Sequence, residues 1–238
     1  MVLQAQENKA MILAAGLGTR LKPLTDHRPK ALLEWKGKPL LEHVILKLKS
    51  AGFTSIMVNV HHYAGMIMDF VKQKDQFGIR IEFSHEKEEL LDTGGGIAHA
   101  SWFFEKDPFL VYNVDIQSDI DLRAMYQAHL NSGAMATLAV KDRVTTRSLL
   151  MDREGFLKGW RDNRSGDTIL CGAGDEGLVP IAFSAIHIMD PRVFEHFPEE
   201  KRFPLMPFYL ELARTHPVKL YRHDRDSWTD MGKLESYA

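Results

Sequence analysis

The sequence predicts an α/β fold: a mixed, mainly parallel sheet flanked by helices, with a small antiparallel C-terminal subregion. Two observations carry this. Short apolar runs rich in β-formers alternate with segments of helical periodicity over the first 140 residues, and that alternation is the mark of a layered, mainly parallel sheet. After residue 145 the pattern shifts to strand-turn-strand, as in hairpins. At 238 residues and 45% hydrophobic content the chain has the material for a substantial core. No linker, repeat or low-complexity tract divides it. We therefore expect a single domain over 1–238, with 9–142 as its nucleotide-binding part and 143–238 completing a pocket.

In chain order, "AMILAA" (10–15) reads as a buried strand. "PLLEHVILKLKSAG" (39–52) places Leu41, Val44, Ile45 and Leu48 on one helical face, opened by Pro39 and closed by Gly52. A strand follows at 55–60, a helix at 64–73, and strands at 78–84 and 108–115. The helix at 122–133 is stopped by Asn131, Ser132 and Gly133, and a strand covers 134–142. A hairpin turning at Asp152–Gly155 comes next, then a long strand at 178–190. A helix at 205–214 and strands at 218–222 and 226–229 complete the chain. "MVLQAQEN" reads as a disordered lead-in.

The net charge of −2 gives no bulk reason to expect nucleic acid or a membrane surface as partner. Cys171 is the single cysteine, which excludes an intrachain disulfide and a cysteine-rich zinc site. No apolar run approaches bilayer length, and no signal-peptide pattern opens the chain, so a cytoplasmic location is expected. His61 and His62 are adjacent on a strand-like segment and point to opposite faces, which argues against a shared metal ion. The run "EKEELLD" (86–92) reads as a solvated acidic loop, with Asp92 as the member able to face a pocket. Trp160 and Trp228 read as packing residues.

The chemistry starts where the first strand breaks into "GLGTRLKPLT". In open α/β sheets ligands sit beyond the carboxyl ends of the strands. Gly16 and Gly18 allow backbone N–H groups to turn toward an anion, and Arg20 offers a forked donor suited to phosphate. Lys30, stiffened by Pro29, adds a second positive charge. Together they suit a nucleoside triphosphate. Leu21 replaces the last glycine of a dinucleotide fingerprint, and no G-x-x-x-x-G-K-[ST] is present, so neither of those sites is expected.

"AMILAAGLGTRLKPLTDHRPKALLEWKGKPLLEHVI", with "LDTGGGI" (91–97), "FLVYNVD" (109–115) and "WTDMGKLE" (228–235), resembles the nucleotide-sugar pyrophosphorylases, the sugar-1-phosphate nucleotidyltransferases. The version "LDTGGGI" most resembles the short subfamily acting on N-acetylmuramate 1-phosphate. The resemblance implies a Rossmann-like nucleotidyltransferase fold and a reaction joining a nucleoside triphosphate to a sugar 1-phosphate, with pyrophosphate leaving. It implies that Arg20 and Lys30 hold the triphosphate and the developing charge. Ala14, Ala15, Gly16, Gly18 and Thr19 would cradle it, and Thr93, Gly94 and Gly95 would let base or sugar approach bare backbone. Thr93 also reads as a helix N-cap. Asn113 and Asp92 would serve the sugar phosphate. The family's Glu-Lys-Pro lysine is missing where "GWRDNRSG" stands, so Arg161 or Lys158 would substitute.

Two bare carboxylates beside so much phosphate would repel it. Asp115 and Asp230, both expected at strand ends, therefore imply Mg²⁺, or Mn²⁺ in its place, between them. The attacking group is already an anion, so catalysis reduces to positioning and charge neutralisation. Three alternatives stand beside uridylyl transfer: a mannose-1-phosphate guanylyltransferase, a cytidylyltransferase acting on an alcohol phosphate, and a non-catalytic nucleotide-sugar-binding paralogue. Base, sugar and oligomeric state stay open at this point.

Overall fold

The computed structural model describes residues 8–172, 174 and 176–237, so the expected lead-in, Asn8 apart, lies outside the described residues. The first half of the chain contributes β1 (Lys9–Leu13), β2 (Glu34–Trp35), β3 (Lys38–Pro39), α1 (Leu40–Ser50), β4 (Ser55–Val60), α2 (Ala64–Gln73), β5 (Arg80–His85), α3 (Asp92–His99) and β6 (Phe109–Asn113). The second half contributes β7 (Ile116–Ser118), α4 (Leu122–Ser132), β8 (Ala136–Lys141), β9 (Arg147–Met151), β10 (Leu157–Asp162), β11 (Thr168–Leu170), β12 (Val179–Met189), α5 (Leu205–Leu212), β13 (Val218–Arg222) and β14 (Trp228–Asp230).

The central sheet runs β5-β4-β1-β6 in parallel. β12 then inserts antiparallel between β6 and β8, and β13 joins β8 in parallel. The first half of β12 pairs instead with β9, which leads into the antiparallel β9-β10-β11 sheet. One strand thus belongs to both sheets and fixes their junction. The alternation of β-runs and helices was legible because each parallel strand needs a crossover helix. The strand expected at 226–229 is β14, but its partner β7, the β2-β3 ribbon and the short β11 were not anticipated.

All six residues of β4 are buried, as expected of a strand covered on both faces. Successive residues of β1 serve opposite cores. Ile12 packs into the layer formed with Leu41, Val44, Ile45 and Leu48 of α1, together with Ile67 of α2 and Met125 of α4. Met11 packs into the other, with Ile97 of α3 and Phe208 and Tyr209 of α5. α4 begins at Asp121, whose carboxylate accepts the Arg123 and Ala124 N–H groups at 3.0 Å, and ends at Gly133, with φ 64°. The carboxyl ends of β1, β6 and β8 therefore share one rim, and the loops beginning at Ala14, Val114 and Asp142 leave from it.

Candidate active site

The glycine loop is held at both ends. At its start the Ala14 N–H donates to Asn59 Oδ1 at 2.7 Å. Gly18 has φ 66°, which a side chain resists, and a Cβ there would lie 2.9 Å from Thr25 Cγ2. The Thr25 hydroxyl donates to the Gly18 carbonyl at 2.9 Å. Leu21 is buried beneath the turn, leaving Thr19 and Arg20 exposed above it. Ala15 is buried at the strand end. A Cβ on Gly16 would meet no atom within 4 Å, so the loop backbone faces open space there.

Across the rim the Lys30 ammonium donates to Asp115 Oδ2 at 2.6 Å, with both side chains largely buried. Asp115 lies in the turn two residues past the end of β6, where the sequence had it close the strand. Asp230 is the last residue of β14, at a strand end as expected, and that strand belongs to the ribbon with β7 and not to the central sheet. That ribbon brings the two aspartates together: Asp230 pairs with Ile116, and the Met231 N–H donates to the Asp115 carbonyl at 2.8 Å. Gly232 marks where they meet. A Cβ there would stand 2.8 Å from Asp115 Oδ2, 2.8 Å from Asp230 Oδ1 and 3.3 Å from Arg20 Nη2. The Tyr237 hydroxyl nearby is buried without a partner among the described residues. Burial, reinforced by the charges of Asp115 and Asp230, pushes its pKa up to about 12, so the phenol stays protonated.

The second glycine-rich segment is built differently from the expectation. α3 starts at Asp92 with Leu91 as its N-cap, so Thr93 is not the cap and all three glycines lie inside the helix. Thr93 instead accepts the Leu205 N–H through its hydroxyl at 3.1 Å, at the start of α5. The Gly94 and Gly95 N–H groups donate to the Phe203 carbonyl, at 3.0 and 3.3 Å. Side chains at 94 and 95 would collide with Phe203 and with the Lys201 carbonyl. The bare backbone is thus required by close packing of 201–203, and its amides are occupied by protein. Asp92 is exposed, with φ 64°, and accepts the Thr93 N–H at 2.7 Å.

Glu86 corrects the reading of 86–92 as a solvated loop: it is 2% exposed. Its Oε1 accepts from Asn59 Nδ2 at 2.7 Å and its Oε2 from the Leu91 N–H at 2.8 Å. A buried polar chain therefore runs from Ala14 through Asn59 and Glu86 to the start of α3. No spacing in the sequence separates Glu86 from its exposed acidic neighbours.

Of the remaining candidates, Asn113 ends β6 half-buried on the rim, and its amide makes no hydrogen bond among the described residues. Arg161 donates to Thr168 Oγ1 at 3.2 Å in the outer sheet. Lys158 pairs with Asp152 at 3.6 Å and neighbours Arg214 and Pro217, beside the start of β13. Gly232 and Arg143 were missed. Arg143 follows β8 on the rim, and its guanidinium lies 3.8 Å over the Trp228 ring, so Trp228 does more than pack. Among the described residues no group of three or more His, Cys, Asp or Glu is placed to share a metal ion, and no helix is long and apolar enough to cross a membrane.

A nucleotidyl transferase family model matches residues 9–148. The chain is 45% identical over 233 residues to N-acetylmuramate alpha-1-phosphate uridylyltransferase of Neisseria meningitidis serogroup B, covering 95% of this chain and 94% of that one. It is 34% identical over 214 residues to the protein of the same name in Caulobacter vibrioides, covering 86% and 84%. In fold it is similar to the crystal structure of HddC from Yersinia pseudotuberculosis complexed with GMP-PN, with a TM-score of 0.75, 24% identity, and coverage of 97% of this chain and 96% of that one.

Proposed function

The chain belongs to the nucleotidyl transferase family and is a sugar-1-phosphate nucleotidyltransferase, and from that premise we propose that it transfers uridylyl from UTP to N-acetylmuramate 1-phosphate. The observation that supports the chemistry is the meeting of Arg20, Lys30, Asp115 and Asp230 around Gly232. The likeness to the Neisseria enzyme over nearly both chains supports the choice of substrates.

The sugar phosphate oxygen attacks the α-phosphorus, the bond to the β-phosphate oxygen breaks, and pyrophosphate leaves. Arg20 holds the triphosphate as a fork, and Lys30 both neutralises charge and orients Asp115. Gly16, Gly18 and Thr19 line its path, and residues 9–142 form the nucleotide side with 143–238 closing the sugar side. Two carboxylates converging on one point suit a hard cation that takes its other ligands from phosphate, so Asp115 and Asp230 would hold Mg²⁺ or Mn²⁺. The ion would neutralise phosphate charge and align the reacting groups. The use of a nucleoside triphosphate fits a cytoplasmic location.

The test is a matrix of the four ribonucleoside triphosphates and dTTP against N-acetylmuramate, mannose, glucose and N-acetylglucosamine 1-phosphates, reading pyrophosphate. UTP with N-acetylmuramate 1-phosphate is expected to dominate. A clear preference for GTP with mannose 1-phosphate would overturn the substrate assignment.

A further inference from the structure

We propose that Arg143 binds the phosphate of the sugar 1-phosphate. The proposal rests on the functional reading above. Arg143 leaves the end of β8, on the rim shared by the glycine loop and Asp115.

Its guanidinium is held rigidly by neutral groups. One face stacks on Trp228 at 3.8 Å, and Nη2 donates to the Phe183 carbonyl at 2.7 Å. Nε is sealed from solvent with no partner, and Arg143 pairs with no carboxylate among the described residues. Trp228 is itself fixed, its indole N–H donating to the Ser184 carbonyl at 2.9 Å. Trp228 also stands two residues before Asp230 on the same short strand, so the stacked cation and the carboxylate share one platform.

A half-buried guanidinium with no carboxylate hydrogen-bonded to it among the described residues leaves charge and donors unsatisfied, which is unfavourable. Burial lowers the Arg143 pKa, and Asp230 is the charge that opposes the shift, which places the guanidinium within the electrostatic reach of that carboxylate. An incoming phosphate satisfies both observations. It gives the Nη hydrogens not used by Phe183 a doubly charged acceptor and sets the attacking oxygen beside the carboxylates. Lys158 is already paired with Asp152 away from this platform, and Arg161 already donates to Thr168.

The decisive experiment is steady-state kinetics of Arg143→Gln in both substrates, with thermal denaturation as the check on folding. The KM for the sugar 1-phosphate should rise on the order of 10- to 100-fold, the scale of a lost charged hydrogen bond, with the UTP KM within about twofold of wild type. Arg143→Lys should recover part of the loss. Arg143→Met, which keeps an apolar stem over the indole, replaces the glutamine variant if that one does not fold. An unchanged acceptor KM in a folded variant overturns the proposal, as does an equal rise for both substrates. The kinetics use whichever sugar 1-phosphate the wild-type enzyme turns over. A different preferred sugar therefore removes the substrate assignment and leaves this test intact. If wild type turns over none, calorimetric binding of the same sugar phosphates to wild type and variant decides the matter by the same ratio.

Discussion

Replacing Gly232 by alanine adds one carbon at the point where the site is tightest. The backbone accepts the change, because the φ of Gly232 is not positive. Space does not. Ordinary contact for a Cβ begins at 3.4 Å, and here it would find two carboxylate oxygens at 2.8 Å and Arg20 Nη2 at 3.3 Å. Asp230 cannot simply swing away, because its Oδ1 also accepts the Gly232 N–H at 2.8 Å. Each oxygen must retreat by roughly half an ångström to reach van der Waals distance. Misplacement on the scale of 1 Å costs about 100-fold in rate, so kcat should fall roughly 10- to 100-fold. Overpacking of this kind costs about 1–3 kcal/mol, and the melting temperature should fall by about 2–4 °C for each kcal/mol. Pyrophosphate release at saturating substrates and Mg²⁺, beside thermal denaturation, measures both. A folded variant with kcat within twofold of wild type would refute the inference that the two aspartates work at the point Gly232 leaves open.

Activity should vanish in EDTA and return with Mg²⁺ or Mn²⁺, and folded Asp115→Asn and Asp230→Asn should each be severely impaired; full activity in either variant ends the shared-metal reading. Arg20→Ala should lose about 2–4 kcal/mol of transition-state stabilisation with little change in melting temperature, and unchanged kcat/KM would remove this arginine from the mechanism. Asn59→Leu strands the Ala14 N–H and the Glu86 carboxylate in the interior; we expect about 3 kcal/mol or more of destabilisation in urea unfolding, and a loss under 1 would show the chain to be dispensable. Burial lowers the His129 pKa from 6.5 to about 4. Above pH 6.5 the ring is neutral in both states; as pH falls below it the unfolded chain takes up a proton that the folded one refuses. Stability should therefore drop by on the order of 3 kcal/mol by pH 4, and His129→Gln should flatten that slope; an unchanged slope assigns it elsewhere.

The helices and parallel strands were legible because each announces itself locally. α1 shows its buried face through Leu41, Val44, Ile45 and Leu48, and α4 its stop through Gly133. The glycine loop was legible because positive charge and glycine follow an apolar strand directly. What stayed hidden depends on partners distant in sequence. The β7-β14 ribbon has three residues a side and joins segments more than a hundred residues apart, so no local period reports it. Gly94 and Gly95 advertise close approach without saying of what, and the answer is the 201–203 backbone. Arg143 looks like any loop arginine until β12 and β14 bring Phe183 and Trp228 to it, and Glu86 is one carboxylate in an acidic run until β4 presents Asn59.

The Ala14–Asn59–Glu86–Leu91 chain bears on how such a protein can be re-engineered. A glycine loop transplanted from a relative brings its own amides but not the socket that seats them, which is formed by a side chain on β4 and braced by the end of β5. Leu91 draws on the same socket, so a graft that shifts Asn59 displaces both walls of the cleft at once. The smallest portable unit is therefore the loop together with Asn59, Glu86 and the first turn of α3, four separate stretches of sequence that behave as one mechanical part.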